Sequence, residues 1–303
     1  MKALGLFLLL LAACLLAGAG AAPWVLRALP EGAGLEVHQL ITPLAKLCAL
    51  PLTLLLLIRL GLWGRRPLAL ALGWRLLLRE IGRGWLLGLA IIAPLAALLL
   101  WSGARTPAPW PSDLWALLWR TVLIGLLAGL LVGLVEELFF RGAVYGAMRQ
   151  ERGFVWAAIG SSLYYAALHF IAPRRVPTAC PPQWDDGLRS LGAGLYRLAE
   201  GAHLDSLLAL WMVGLLLALV RERRGNLGLC IGMHAAWVFA IRLLRDLSNV
   251  DWNAPASLLV GRHDGVVGWL ATGYLALLML LALAGRALPR GANQDDPRAL
   301  NPV

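Results

Sequence analysis

Lysine is almost missing from this chain: of 27 basic residues only Lys2 and Lys46 are lysines. Acidic residues are scarce too, 17 in 303, so the net charge is +10 and the isoelectric point about 10.3. That balance can mark a nucleic-acid binder. Here, however, no basic patch adjoins a soluble domain, and the arginines stand in short clusters between apolar runs. No nucleic-acid partner is expected. Cysteine is sparse: Cys14, Cys48 and Cys230 lie within apolar runs and Cys180 in a connection. None of their spacings suits a disulfide framework or a zinc ribbon, so they read as free thiols. Also missing are the polar faces that helices or strands of a soluble domain would show.

What is there is apolar on every face. The sequence is 60% hydrophobic with a mean hydropathy of +0.72. It divides into runs long enough, at about 20 residues, to cross a bilayer core. They lie near Ala3–Ala22, Ile41–Leu62, Trp85–Trp101, Leu114 into the following charged motif, Phe154–Ala172, Ser206–Val220, Leu227–Leu244 and Val266–Ala284. The predicted fold is all-α: a polytopic transmembrane helix bundle of about eight spans. LALALGWRLLLREIGRG, between the second and third, adds one interfacial amphipathic helix. Residues 1–285 form a single domain, and 286–303 are a polar tail expected to be disordered. The first run carries marks of a signal peptide, with Lys2 ahead of it and small residues near its end. Its span-like length favours a retained helix. Tryptophans such as Trp63, Trp101, Trp110, Trp211 and Trp269 fall near span ends, as interfacial anchors do.

Arginine placement sets the orientation. Arg75, Arg79 and Arg83, then Arg149 and Arg152, then Arg221, Arg223 and Arg224 fall in connections on one side of an eight-span bundle. By the positive-inside rule that side is cytoplasmic, as are both termini. Arginine in place of lysine, with abundant Ala, Leu and Gly, fits a GC-rich bacterial genome, so the membrane is expected to be the bacterial cytoplasmic (inner) one. The opposite connection Pro173–Asp205 mixes arginines with Asp185, Asp186, Glu200 and Asp205 and reads as irregular.

One apolar run contradicts its setting. LVGLVEELFFRGAVYGAMR places Glu136, Glu137 and Arg141 inside the membrane, at a cost approaching roughly 10 kcal/mol if unpaired. Glu137 and Arg141 are i and i+4 on a helix, so they can pair and support the fold. Glu136 points about 100° away, with Phe140 at its own i+4 position. A carboxylate without a local partner is available for general-base work.

Two histidines reach a similar depth. At about 1.5 Å per residue, Glu136 counted from Arg149, His169 from Arg152 and His234 from Arg224 all fall roughly 15–25 Å from the arginine-rich surface. One glutamate and two histidines on three helices permit two chemistries. One is a His₂-carboxylate metal site, with zinc held by Glu136, His169 and His234. The other needs no cofactor: Glu136 and His169 activate a water while His234 stabilises an oxyanion. The residues alone do not separate them. His38, His203 and His263 lie in or beside connections and are expected to be solvated or interfacial.

At these positions the chain resembles the CPBP family of CAAX proteases and bacteriocin-processing enzymes, also called the Abi family. Its pattern is Glu-Glu-x-x-x-Arg, then Phe-x-x-x-His, then His-x-x-x-Asn on successive membrane helices. Here Glu136-Glu137-Leu138-Phe139-Phe140-Arg141 matches in full. In Tyr165-Ala166-Ala167-Leu168-His169, Tyr stands for Phe, and in His234-Ala235-Ala236-Trp237-Val238, Val stands for Asn. The resemblance covers about residues 114–244. It implies an intramembrane endopeptidase acting on a membrane-associated protein or peptide. Glu136 and His169 would be the water-activating catalytic residues, and His234, with the missing Asn, the oxyanion site. A glutamate-type mechanism without metal is preferred to the metalloprotease that the older family name suggests. Val238 cannot donate a hydrogen bond, and losing one oxyanion donor costs about 10²–10³ in kcat. No Asn or Gln lies within a turn of it, and the Trp237 indole should face away. Two rival readings therefore stand beside the protease: a non-catalytic membrane scaffold or immunity-type protein, and a proton-coupled carrier.

Overall fold

A computed structural model describes residues 2–30, 34–64, 68–70, 73–109, 111–178, 180–199 and 203–284. The polar tail and Trp110 lie outside the described residues. The architecture is a helix bundle: α1 (Lys2–Ala28), α2 (Val37–Arg59), α3 (Trp74–Trp101), α4 (Leu114–Glu137), α5 (Tyr145–Leu168), α6 (Asp186–Ala199), α7 (Leu204–Arg224), α8 (Gly228–Leu247) and α9 (Trp269–Leu283). Two short strands, β1 (Arg105–Pro107) and β2 (Ser248–Val250), pair antiparallel and tie the exit of α3 to the exit of α8.

Six of the described helices are long and apolar enough to cross a membrane, the longest being the continuous run Leu114–Leu168 of 55 residues. At 1.5 Å per residue that run is roughly 80 Å long, more than twice a bilayer core, so it crosses twice. Gly153, with φ +81°, supplies the break that an L-residue would resist. Many large apolar side chains face outward, among them Leu86, Trp101, Leu127 and Leu280, where lipid rather than water must meet them.

Two expectations change. The segment predicted to be a separate interfacial helix is not one: Trp74–Gly84 is the first part of α3 and runs unbroken into the span. Its Glu80 is buried and paired with Arg83 at 2.8 Å and Arg224 at 2.6 Å, so it belongs to the bundle interior. The amphipathic helix is instead α6, within the connection read as irregular, packed against the second half of α1.

Helix α8 is clasped by α3 and α4, and glycines allow it. A Cβ on Gly84 would lie 2.2 Å from the Leu229 carbonyl oxygen, and one on Gly232 would lie 2.0 Å from that of Ile81. On α4, Gly129 and Gly133 meet α8 in the same way, against Ala235 and Ile231. Without water to drive association, such backbone approach is what holds membrane helices together. Gly84→Ala is therefore expected to destabilise the protein by roughly 1–3 kcal/mol through overpacking. Gly82→Ala, with nothing within 4 Å of its Cβ, should be neutral or stabilising. Thermal melting in detergent checks the pair; equal midpoints would contradict the close-packing account.

Contacts sort the helix ends into two groups. At one end Ala3 N–H donates to Glu151 (2.8 Å), Arg149 pairs with Glu222 (2.8 Å) and Arg224 with Glu80 (2.6 Å). This end carries the arginine clusters. At the other, Arg27 donates to the Pro182 carbonyl (2.7 Å), Arg175 pairs with Glu36 (2.8 Å) and Thr121 donates to Asp246 (2.8 Å).

Candidate active site

The charged motif does not run as regular α-helix. Directly after Glu137 the backbone widens into a π-helical segment, Leu138–Val144, the kind of irregularity often found at functional sites. Arg141 sits within it and is 1% exposed. Its Nη1 donates to Glu137 Oε1 at 3.1 Å, and its guanidinium lies 4.6 Å over the Tyr165 ring. Glu137 is fully buried. Its Oε1 also accepts from His234 Nδ1 at 2.8 Å. A carboxylate only accepts, so this contact places a proton on Nδ1 and turns Nε2 the other way.

Nε2 of His234 faces Glu136 Oε2 at 3.7 Å. That oxygen is shielded from solvent yet makes no hydrogen bond among the described residues, although the side chain as a whole is 30% exposed. The adjacent glutamates thus differ. Glu137 is committed to Arg141 and His234, whereas Glu136 is uncommitted.

His169 caps α5. Its Nδ1 lies 2.9 Å from the Tyr165 carbonyl oxygen, which again can only accept, leaving Nε2 as the basic nitrogen. The Tyr165 ring stands edge-on between the two histidines, 4.7 Å from the His169 centroid and 6.0 Å from that of His234. Glu136, His169 and His234 all line one cavity of about 560 Å³, with apolar walls from Ile92, Val132, Leu210 and Val213. A mainly apolar cleft with few convergent polar groups is the usual form of a ligand site. Val238 lines it as well, so the position where an asparagine was expected does face the site. Trp237 offers no replacement, because its indole N–H is bound to the Gly88 carbonyl at 3.0 Å.

His263, expected to be solvated or interfacial, is exposed, and its ring also reaches the cavity wall, 6.3 Å from that of His169 and 5.0 Å from Phe170. Partial desolvation at that wall lowers its pKa below the ordinary histidine value, against the opposing pull of Asp264. The loop folds inward because Asp264 accepts from the Val266 and Val267 N–H groups (2.9 and 2.8 Å) and buried Arg105 donates to the Gly265 carbonyl (2.6 Å). Nothing local to Arg262-His263-Asp264 signals this. His38 stays beside Glu36 at 3.3 Å, and His203 stacks on Phe170.

Among the described residues no three of His, Cys, Asp and Glu stand together closely enough to hold a metal ion, and this includes the set Glu136, His169 and His234.

Comparison with curated proteins and with solved structures gives no match. A family model does match: residues 117–240 fit the one described as type II CAAX prenyl endopeptidase Rce1-like. Those residues contain Glu136, Glu137, Arg141, His169 and His234 together. Over this segment the chain is similar to the CAAX-type membrane endopeptidases.

Proposed function

We propose that the protein is a glutamate-type intramembrane endopeptidase that hydrolyses a peptide bond of a membrane-associated polypeptide without a metal cofactor. The observation carrying this reading is the shielded, uncommitted Glu136 Oε2 opposed by His234 Nε2 at 3.7 Å. Two groups that close can bond to one water molecule. Glu136 takes a proton from that water, and the oxygen attacks the substrate carbonyl carbon. The C=O π electrons move onto the oxygen. On collapse the C–N bond breaks, and the proton held by Glu136 passes to the leaving amine. His169, with its Nε2 basic, orients the water. The donor spacing supports the metal-free form.

The developing oxyanion needs donors. His234 supplies a donor there only as the imidazolium, with Nε2–H beside the Nδ1–H that Glu137 holds. Val238 supplies none. Tyr165, which lines the cavity where the family has Phe, takes the second donor role through its hydroxyl. Tyr165→Phe is then expected to lower kcat about 10²-fold at unchanged KM. Val238→Asn in that background should restore part of the loss. An unchanged rate in Tyr165→Phe removes the tyrosine from the mechanism.

The test of the function itself needs no known substrate. Membranes from cells lacking the protein, complemented with wild type or His169→Ala, are compared by mass spectrometry for new polypeptide termini. Termini present only with the wild type are expected, and they should survive excess zinc chelator. Identical termini with His169→Ala would favour the scaffold reading.

A further inference from the structure

A polypeptide substrate carries N–H and C=O groups into the cavity, and each one left without a partner between apolar walls weakens binding. The proposed reaction uses Glu136, Tyr165, His169 and His234. The other polar side chains of the lining are Arg242, Arg245, Asp246, His263, Asp264 and Tyr274. Three of these are engaged elsewhere. Arg242 lies 3.6 Å from Asp246, which accepts from Thr121 at 2.8 Å, and Asp264 accepts from the Val266 and Val267 N–H groups. Among the described residues the His263 ring makes no hydrogen bond, and it alone of the six meets a catalytic ring, 6.3 Å from that of His169.

The loop that carries His263 is fixed in one shape. Arg105 is buried and makes no ion pair among the described residues. Its guanidinium is spent on Ser248 Oγ at 2.9 Å and on the carbonyls of Ser248 and Gly265, each at 2.6 Å. It thus ties β1, the exit of α8 and the His263 loop into one unit. Gly265 lies in the left-handed region at φ +77°, and a Cβ there would stand 2.8 Å from Arg105 Nη1 and 2.9 Å from Val250 Cγ2. Spending a buried arginine on the shape of a loop makes sense where that loop presents a working side chain.

We propose that His263 binds the substrate backbone at a peptide unit beside the scissile bond, and that Arg105 is the positioning residue that sets it there. This rests on the cavity being the active site. A neutral imidazole has one donor and one acceptor, so one ring can meet a substrate C=O and a neighbouring N–H. That contact is the same before and during the reaction, so it lowers KM and leaves kcat alone.

Steady-state kinetics on a peptide spanning a cleavage sequence found by mass spectrometry test the assignment. His263→Phe keeps a ring against Phe170 and removes both polar atoms; KM should rise about 10-fold, with kcat within about twofold of wild type. His263→Gln keeps a donor and an acceptor and should recover most of the affinity. Arg105→Met should raise KM by itself yet add little to His263→Phe, because it acts through that ring. Gly265→Ala, which crowds the same loop and leaves Arg105 in place, should repeat that pattern if Arg105→Met does not fold. An unchanged KM in His263→Phe, a His263→Gln as weak as His263→Phe, or loop and His263 effects that simply add would overturn the inference. With Glu136→Gln inactive, those results remove only the role of His263; wild-type cleavage by Glu136→Gln would remove the reaction and this inference with it.

Discussion

Glu137→Ala is expected to cost about 3–5 kcal/mol of stability, because it strands a buried charge. Arg141 is 1% exposed, and among the described residues its side chain otherwise meets the Gly214 carbonyl at 3.4 Å and two aromatic faces. The same carboxylate oxygen holds His234 Nδ1, so the variant also frees that ring to rotate. Loss of cleavage should therefore accompany the loss of stability. The double variant Glu137→Gln/Arg141→Met, which removes both charges, should be milder in stability than Glu137→Ala, since a buried pair is destabilising mainly when broken. Thermal midpoints in detergent measure this. A double variant as unstable as the single would show that the pair contributes by itself and that no stranded charge is involved.

Glu136→Gln should behave in the opposite way. Among the described residues its side chain makes no ion pair closer than the 3.7 Å approach to His234, and Oε2 makes no hydrogen bond. The melting midpoint should consequently stay near that of wild type. Glutamine is isosteric but cannot take a proton, so single-turnover cleavage should fall by roughly 10²–10⁴-fold, the range for loss of a general base. Residual cleavage above a tenth of the wild-type rate would mean that Glu136 is not the base. Adjacent residues with opposite outcomes, one in stability and one in rate, are the signature that separates this arrangement from an undifferentiated ion cluster.

Much of this was legible in the chain, for identifiable reasons. Bilayer length and hydropathy place the spans because lipid imposes them. Helical spacing pairs Glu137 with Arg141, and the 3.1 Å contact survives the π segment. Spacing could not show that Glu137 also holds His234, because that contact joins residues on different helices. Nor could it reveal α3 as one helix from Trp74: the arginines at Arg75, Arg79 and Arg83 look interfacial, and only Arg224 on α7 shows why Glu80 is buried. His263 was invisible for a related reason. A loop residue enters a site through contacts at long range, here through Arg105 on the Gly265 carbonyl. One signal was present and unread: the four-residue spacing of Gly84 and Gly88 and of Gly125, Gly129 and Gly133 marks the faces that close on α8.

The central claim is that Glu136 activates the attacking water while His234 Nε2 meets the developing oxyanion. The most direct test is a structure with a phosphinic peptide built on an identified cleavage sequence, which mimics the tetrahedral intermediate. One phosphinyl oxygen should lie within about 2.6–3.2 Å of the Glu136 carboxylate, and the other should lie within reach of His234 Nε2. A phosphinyl group seated away from Glu136, or bound to a metal held by Glu136, His169 and His234, would contradict the account.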